Sequence, residues 1–400
     1  MNTSSSDQRA YRLSAIDALR GLAIVIMAID HVRDFFLFGA EQDPMNNPNI
    51  SVAIFATRWI THFCAPVFVL LAGTSAGLMT ARKSPAELAS FLFKRGLWLL
   101  LVECVVISTA MTFAPLGVKD VGGLTMVILQ VISAIAISMM LLAGFQFMGR
   151  RACFVMGAVI IAGHNLLDYV WPVSQMFDQQ TWPLWVALHL QMSRTVGPFM
   201  IFFSYPILPW LGVMLLGFGI AGVFELSAER RNTILLRSGF VLLAAFLIIR
   251  ALDVYGDPNH WQRQPVGIIA TVMDFLNTTK YGPSLLFLLM IYGPAAILCA
   301  KADRFTGFIK DALVMFGRVP FAFYVAHFFL IHALSILLGI FQGFSASQFF
   351  TIFLFYPKGY GLSLPGVYGV WMLVIVMLYP FCRWVAGVKA RRRDWWLSYL

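Results

Sequence analysis

Residues Leu13 to Phe36 read LSAIDALRGLAIVIMAIDHVRDFF. The run has the length and apolar background of a membrane helix, yet it carries Asp17, Arg20, Asp30, His31, Arg33 and Asp34. An ionisable side chain at the centre of a bilayer costs about 2.5–3.5 kcal/mol by insertion scales, so such groups face a protein interior or a water-filled cavity and mark a functional path. Arg20 and His31 are separated by three helical turns plus about 20°, which places them on one face about 16 Å apart along the axis.

Composition explains why this run is read as membrane-embedded. The chain of 400 residues is 60% hydrophobic and 12% charged, with a mean hydropathy of +0.78, far outside the range of a soluble globular protein. The charged first run and the lack of a small-residue cleavage site argue against a removed signal peptide. The five cysteines, Cys64, Cys104, Cys153, Cys299 and Cys382, are scattered in or beside apolar runs, with neither a disulfide framework nor zinc-ligand spacing. No metal site is expected. The net charge of +10 comes from short basic runs between apolar segments, a membrane-topology pattern and not a nucleic-acid surface.

Apolar runs long enough to cross about 30 Å of hydrocarbon lie at 15–38, 54–79, 96–116, 124–147, 153–170, 205–224, 235–252, 282–300, 313–339 and 366–388. An all-α polytopic membrane protein of about ten spans is therefore expected. Alternate connections hold 18 Lys or Arg against six in the others, which by the positive-inside rule makes both termini cytoplasmic. The organisation is a cytoplasmic tail over 1–14, one membrane domain over 15–388 and a basic cytoplasmic tail over 389–400. Outer connections are rich in Trp, Pro, Asn and Phe and suit a rim over a cavity. In the longest of them, TWPLWVALHLQM (181–192) has the pattern of a short amphipathic surface helix.

Several constellations have the residue types needed for chemistry. In the second span, ATRWITHFCAPVFVLLAGTSAG (56–77), Arg58 and His62 are four residues apart on one helical face, and the estimated depth of His62 matches that of His31. The two imidazoles are expected to meet across one cavity. Loop ARKSPAELASFLFKR (81–95) carries Arg82, Lys83, Lys94 and Arg95. Its Ser84, Pro85 and Glu87 form a capping-box signature that predicts a helix running into the third span. Glu103 in that span needs a partner that the local sequence does not supply. GHNLLD (163–168) sets His164 and Asp168 four apart near an outer end. Lys280 and Tyr281 in NTTKYGPSLLFLL (277–289) lie at the outer lip against the charge rule. Arg318, Tyr324, His327 and His332 follow one another in FGRVPFAFYVAHFFLIH (316–332), the two histidines five apart and so not on one face. No phosphate-binding glycine loop, serine elbow or HExxH is present.

These segments together resemble bacterial members of the heparan-alpha-glucosaminide N-acetyltransferase-like family, within the wider transmembrane acyltransferase group. IDALRGLAIVIMAIDHVRDFF, RWITHFCAPVFVLLAGTSAGL, KRGLWLLLVE, GHNLLD, YPILPWLGVMLLGFG, TTKYGPSLLFLL and FGRVPFAFYVAHFFLIH carry the likeness, in order, over most spans. Arginine, ten residues, then histidine also resembles the signature of the wider group. The resemblance implies a membrane enzyme of the bacterial inner membrane. It would bind acetyl-coenzyme A (acetyl-CoA) from the cytoplasm and pass the acetyl group to an amine or hydroxyl of an amino sugar, surface glycan or lipid on the far side. It further implies Arg20, Arg82, Lys83, Lys94 and Arg95 as the coenzyme-binding set, with the pantetheine arm reaching toward His31. A homodimer is compatible with it, and nucleic acid is not a partner. In one respect the chain departs from the pattern: the animal lysosomal enzyme has asparagine at the position of His31 and its catalytic histidine in the following loop, whereas LFGAEQDPMNNPN (37–49) has no histidine.

The expected catalytic set is His31, His62, Asp34 and Arg58, with Lys280, Tyr281 and His327 toward the acceptor. A neutral histidine would deprotonate the acceptor as it attacks the thioester. The other imidazole, Arg58 or a backbone amide would stabilise the oxyanion, and Asp30 or Asp34 would orient the base. A covalent acetyl-histidine is the rival route. A transporter or flippase of a small or lipid-linked anion is the competing function, since buried His, Asp and Arg serve there too.

Overall fold

The computed structural model describes residues 5–39, 50–170, 184–304, 306–392 and 394. Helix α1 (Ser5–Phe36) is the central element. Ile16, Ile24, Ala28, Val32, Phe35 and Phe36 are buried on different faces of it, and it packs against several later helices introduced below. The second apolar run is two helices, α2 (Val52–Thr61) and α3 (Cys64–Met79), with a break at His62 and Phe63. Pro66 has no N–H to give to the carbonyl four residues back, which leaves the helix to restart just before it.

α4 (Pro85–Val102) starts at the expected capping box: Glu87 N donates to Ser84 Oγ, and Ser84 N donates to Glu87 Oε2 at 2.8 Å. Ser84 Oγ also donates to Glu87 Oε2 at 2.8 Å, and the two Ser84 donors hold the exposed Glu87 carboxyl below its ordinary value. A π-helical turn over Glu103–Ile107 carries α4 into α5 (Ser108–Thr112).

The expected span at 124–147 begins instead with a strand, β1 (Thr125–Leu129), and only then becomes α6 (Val131–Phe145). The strand sequence, TMVIL, is apolar enough to read as helix, and long-range pairing decides its conformation. α7 (Gly149–Gly163) follows a turn in which Gly149 sits at φ 85°, a left-handed conformation that glycine adopts without penalty. β2 (Met192–Val196) and β3 (Phe199–Phe203) form a hairpin, and β1 joins it parallel to β3, Thr125 opposite Phe199, in the order β1-β3-β2. The stretch expected as an amphipathic helix is a 3-10 turn over Leu184–Leu188 that leads into β2. Its first three residues, with the rest of 171–183, lie outside the described residues.

The remaining elements are α8 (Ile207–Gly219), α9 (Ala228–Leu252), α10 (Ile268–Leu276), α11 (Leu285–Lys301), α12 (Phe308–Arg318), α13 (Pro320–Phe341) and α14 (Leu364–Arg391). The ninth apolar run, read as one span, breaks at Val319 because Pro320 opens α13 at its first position. α1 packs on α3, α12, α13 and α14; α8 packs on α3, α6 and α7; and α9 lies on α11. Backbones of α1 and α12 nearly touch, for a Cβ on Gly21 would fall 1.8 Å from Leu313 O and one on Gly317 would fall 1.8 Å from Asp17 O.

Among the described residues six segments are long and apolar enough to cross a membrane: Val52–Met79, Val131–Tyr169, Ile207–Glu225, Ala228–Leu252, Pro320–Phe341 and Leu364–Arg391. α9 and α14 also expose apolar side chains such as Phe240, Val241, Val376 and Trp384, a surface suited to lipid. The chain is a predominantly helical, multi-pass membrane protein.

Candidate functional site

Asp30, on α1, is the hub of a buried charge cluster. Its carboxylate accepts from Arg58 Nη1 at 2.9 and 3.1 Å, from Thr61 Oγ1 at 2.8 Å and from Lys280 Nζ at 3.0 Å, and Arg33 Nη2 lies 2.9 Å away. Arg33 also pairs with Asp34. Three cations thus face two carboxylates, with one positive charge in excess. Asp34, expected to orient His31, turns to Arg33. Arg58, expected as an oxyanion donor, is engaged by Asp30.

His31 meets His327 of α13, and not His62. Its Nδ1 stands 2.6 Å from His327 Nε2, with the rings stacked at 4.9 Å. The neighbours of His327 assign the tautomers. His327 Nδ1 faces the carbonyl oxygens of Tyr324 and Phe323, which only accept, so Nδ1 carries the proton and Nε2 the lone pair. The contact is therefore His31 Nδ1–H donating to His327 Nε2, which leaves the lone pair of His31 on its Nε2. That nitrogen has no hydrogen-bond partner among the described residues, and His31 is only half-buried. His62 is buried at the α2–α3 break with its ring tilted against Phe287 at 5.3 Å.

Lys280 reaches Asp30 because its loop is pinned from below. Asp257 accepts from Asn259 N, Thr279 N and Thr279 Oγ1 at 2.8–2.9 Å and from Ser284 Oγ. Burial pushes its carboxyl above the usual value, against the pull of those donors. Lys280 Nζ also lies 5.3 Å from the Tyr281 ring, which meets Tyr205 edge-on. Asp168 binds His189 Nε2 and Asn165 Nδ2 at 2.7 Å, and Asn165 Oδ1 accepts from Leu285 N, tying the end of α7 to α11.

A cavity of about 450 Å³ opens at the opposite, basic end of α1, within the range of about 300–1,000 Å³ typical of small-molecule sites. Arg20, Arg95, Arg318 and Lys389 line it with Asp17, apolar side chains such as Met27, Phe68 and Met139 continue it, and Tyr324 also lines it. The Tyr324 ring lies 6.4 Å from that of His31 and 5.4 Å from that of His327. Arg20 is fixed by Asp17 at 3.2 Å and by Ser75 Oγ at 2.7 Å.

Of the expected coenzyme set, Arg20 and Arg95 line the cavity. Arg82 and Lys94 are exposed and do not line it, and Lys83 sits over Phe91 at 5.5 Å. Arg318, noted in sequence beside Tyr324 and His327, and Lys389, which reads as a topology charge, join Arg20 and Arg95 in the cavity wall; their place beside Arg20 follows from α1–α12–α14 packing that no local pattern encodes. Glu103 finds its partner in Gln130 N at 2.6 Å, so its carboxylate sits at the N-terminus of α6, where the helix dipole favours a negative charge. Among the described residues no three His, Cys, Asp or Glu side chains are grouped to hold a metal ion. Residues 40–49, which include most of the loop compared with the animal enzyme, lie outside the described residues.

A comparison with curated proteins finds no match to the chain. Residues 12–255 match the model of the family described as heparan-alpha-glucosaminide N-acetyltransferase, catalytic. That range holds Arg20, the Asp30 hub, His31, Arg58 and His62, while Lys280, Tyr324 and His327 follow it. With more than half of its length matched, the chain belongs to the heparan-alpha-glucosaminide N-acetyltransferase catalytic family.

Proposed function

We propose that the protein is a transmembrane acetyltransferase that takes acetyl-CoA from the cytoplasm and acetylates an amine or hydroxyl of an amino sugar, surface glycan or lipid on the outer side of a bacterial inner membrane. The observation that carries this reading is the cavity running from Arg20, Arg95, Arg318 and Lys389 to Tyr324, beside the His31–His327 pair. Four cations against Asp17 suit the phosphates of a coenzyme, and the apolar walls suit its pantetheine arm. About ten spans with both termini cytoplasmic complete the topology, because the basic mouth then faces the compartment that holds acetyl-CoA.

His31 Nε2 takes the proton of the acceptor as its nitrogen or oxygen bonds to the acetyl carbon. The C–S bond breaks, the thiolate leaves with the electron pair, and the imidazolium returns the proton to sulfur. His327 Nε2 accepts from His31 Nδ1–H throughout and so stabilises the imidazolium. The Asp30 cluster holds α1, α2 and the Lys280 loop in register around this pair, and its excess positive charge suits an acceptor with an anionic group.

Binding of acetyl-CoA to the detergent-purified protein, read by thermal shift, followed by transfer of labelled acetyl to glucosamine-type acceptors, tests the proposal. Stabilisation by the coenzyme and label on the acceptor are expected. Stabilisation by an anionic lipid or sugar alone, with no acetyl moved, would replace the enzyme by a transporter.

A further inference from the structure

The reaction above leaves the developing charge on the thioester oxygen without a donor. Arg58 is bound to Asp30, and His62 faces Phe287 and does not line the cavity. Tyr324 differs from both. It is 3% exposed and lines the cavity, and its hydroxyl has no hydrogen-bond partner among the described residues. Buried tyrosine hydroxyls ordinarily find a partner in the protein or in water. Here the ring is wedged between the cavity and the two imidazoles, edge-on to His31 and tilted against His327.

Resting on the acetyltransferase reading of this site, we propose that the Tyr324 hydroxyl is a catalytic group that donates a hydrogen bond to the thioester carbonyl oxygen of the acyl donor and to the oxyanion formed from it. The phenol keeps its proton throughout. As the acceptor's bond to the acetyl carbon forms, the C=O electron pair moves to oxygen and is stabilised by the O–H. The pair then returns as the C–S bond breaks. The donor is buried, and its ring is held against two imidazoles; a donor fixed in advance is the most effective kind for an oxyanion. Its place on α13, one turn before His327, puts the oxyanion donor and the imidazole that supports the base on one rigid helix, so the separation of those two is set by helix geometry.

Tyr324→Phe removes the oxygen and keeps the ring. In the full-length protein, kcat for acetyl transfer should fall about 10²–10³-fold, as for the loss of one oxyanion donor. KM for acetyl-CoA and Kd for coenzyme A, which has no thioester carbonyl, should stay within about twofold. Thermal stability should not drop, because no protein partner is lost. An undiminished kcat, or a kcat loss matched by a lower Tm and weaker coenzyme A binding, overturns the proposal. If Tyr324→Phe does not fold, fluorotyrosine at position 324 keeps the hydroxyl and strengthens its donor; an unchanged kcat there also overturns it. Failure of the wild-type protein to transfer acetyl refutes the underlying reading and is distinguishable from both results.

Discussion

Replacing Asp30 by asparagine tests the charge cluster with almost no change of shape. In the native protein three cations, Arg33, Arg58 and Lys280, share Asp30 and Asp34. Asp30→Asn leaves those three with one carboxylate, while the amide oxygen still accepts from Thr61. Removing one member of a buried ion pair costs about 3–5 kcal/mol because the survivors stay charged and desolvated. That corresponds to about two to four orders of magnitude in the folded-to-unfolded ratio. Lys280→Met alone deletes one charged hydrogen bond and leaves Asp30 with both arginines, for a cost of about 1.5–3 kcal/mol. The double variant restores the native charge excess and should therefore be more stable than Asp30→Asn alone. Thermal unfolding of the purified variants by tryptophan fluorescence gives the three values. Strictly additive losses, or no loss for Asp30→Asn, would refute the cluster as the element that locks α1 to α2 and the Lys280 loop.

His31→Ala should lower kcat by about 10²–10⁴, the range for a lost general base, whereas His62→Ala should cost less than about tenfold; steady-state transfer assays distinguish them, and the reverse ranking would move the base to His62. Arg20→Ala and Lys389→Ala should each weaken coenzyme A binding by about 1.5–3 kcal/mol, the worth of a charged hydrogen bond, and Arg82→Ala should leave it within about twofold, by calorimetry at fixed salt. Gly21→Ala should cost at least about 1–3 kcal/mol from overpacking, since its methyl meets the backbone of α12 and not a movable side chain; a thermal scan equal to wild type would count against that close approach.

The charged first helix and the capping box at Ser84 were legible in the sequence, because each is encoded within a few residues. The partner of His31 was not. Depth matching pointed to His62, on the next helix, while the structure supplies His327, 296 residues away. Imidazole pairing across helices depends on which faces the bundle turns together, and periodicity gives depth but no azimuth. β1 was hidden for a related reason. A five-residue apolar strand at the head of an apolar helix has no period long enough to separate the two, and its partner β3 lies beyond two further helices. Lys389 carried the ordinary signature of a topology charge and Arg318 stood at the edge of a span, and only packing against α1 turns them into cavity wall.

The Asp30 cluster also has a timetable. Ribosomal synthesis delivers α1 to the membrane before the helices that pair with it. Arg58 follows Asp30 by 28 residues, but Lys280 follows it by 250. The α1–α2 hairpin can therefore clasp itself early, through Asp30, Arg58 and Thr61. His31 must wait for His327, 296 residues later. A nascent protein arrested near residue 255, where the family match ends, would hold a half-assembled polar seam in contact with lipid. Until α13 is threaded beside α1, the polar groups that its histidine and the Lys280 loop satisfy stay unpaired, a state the bilayer penalises.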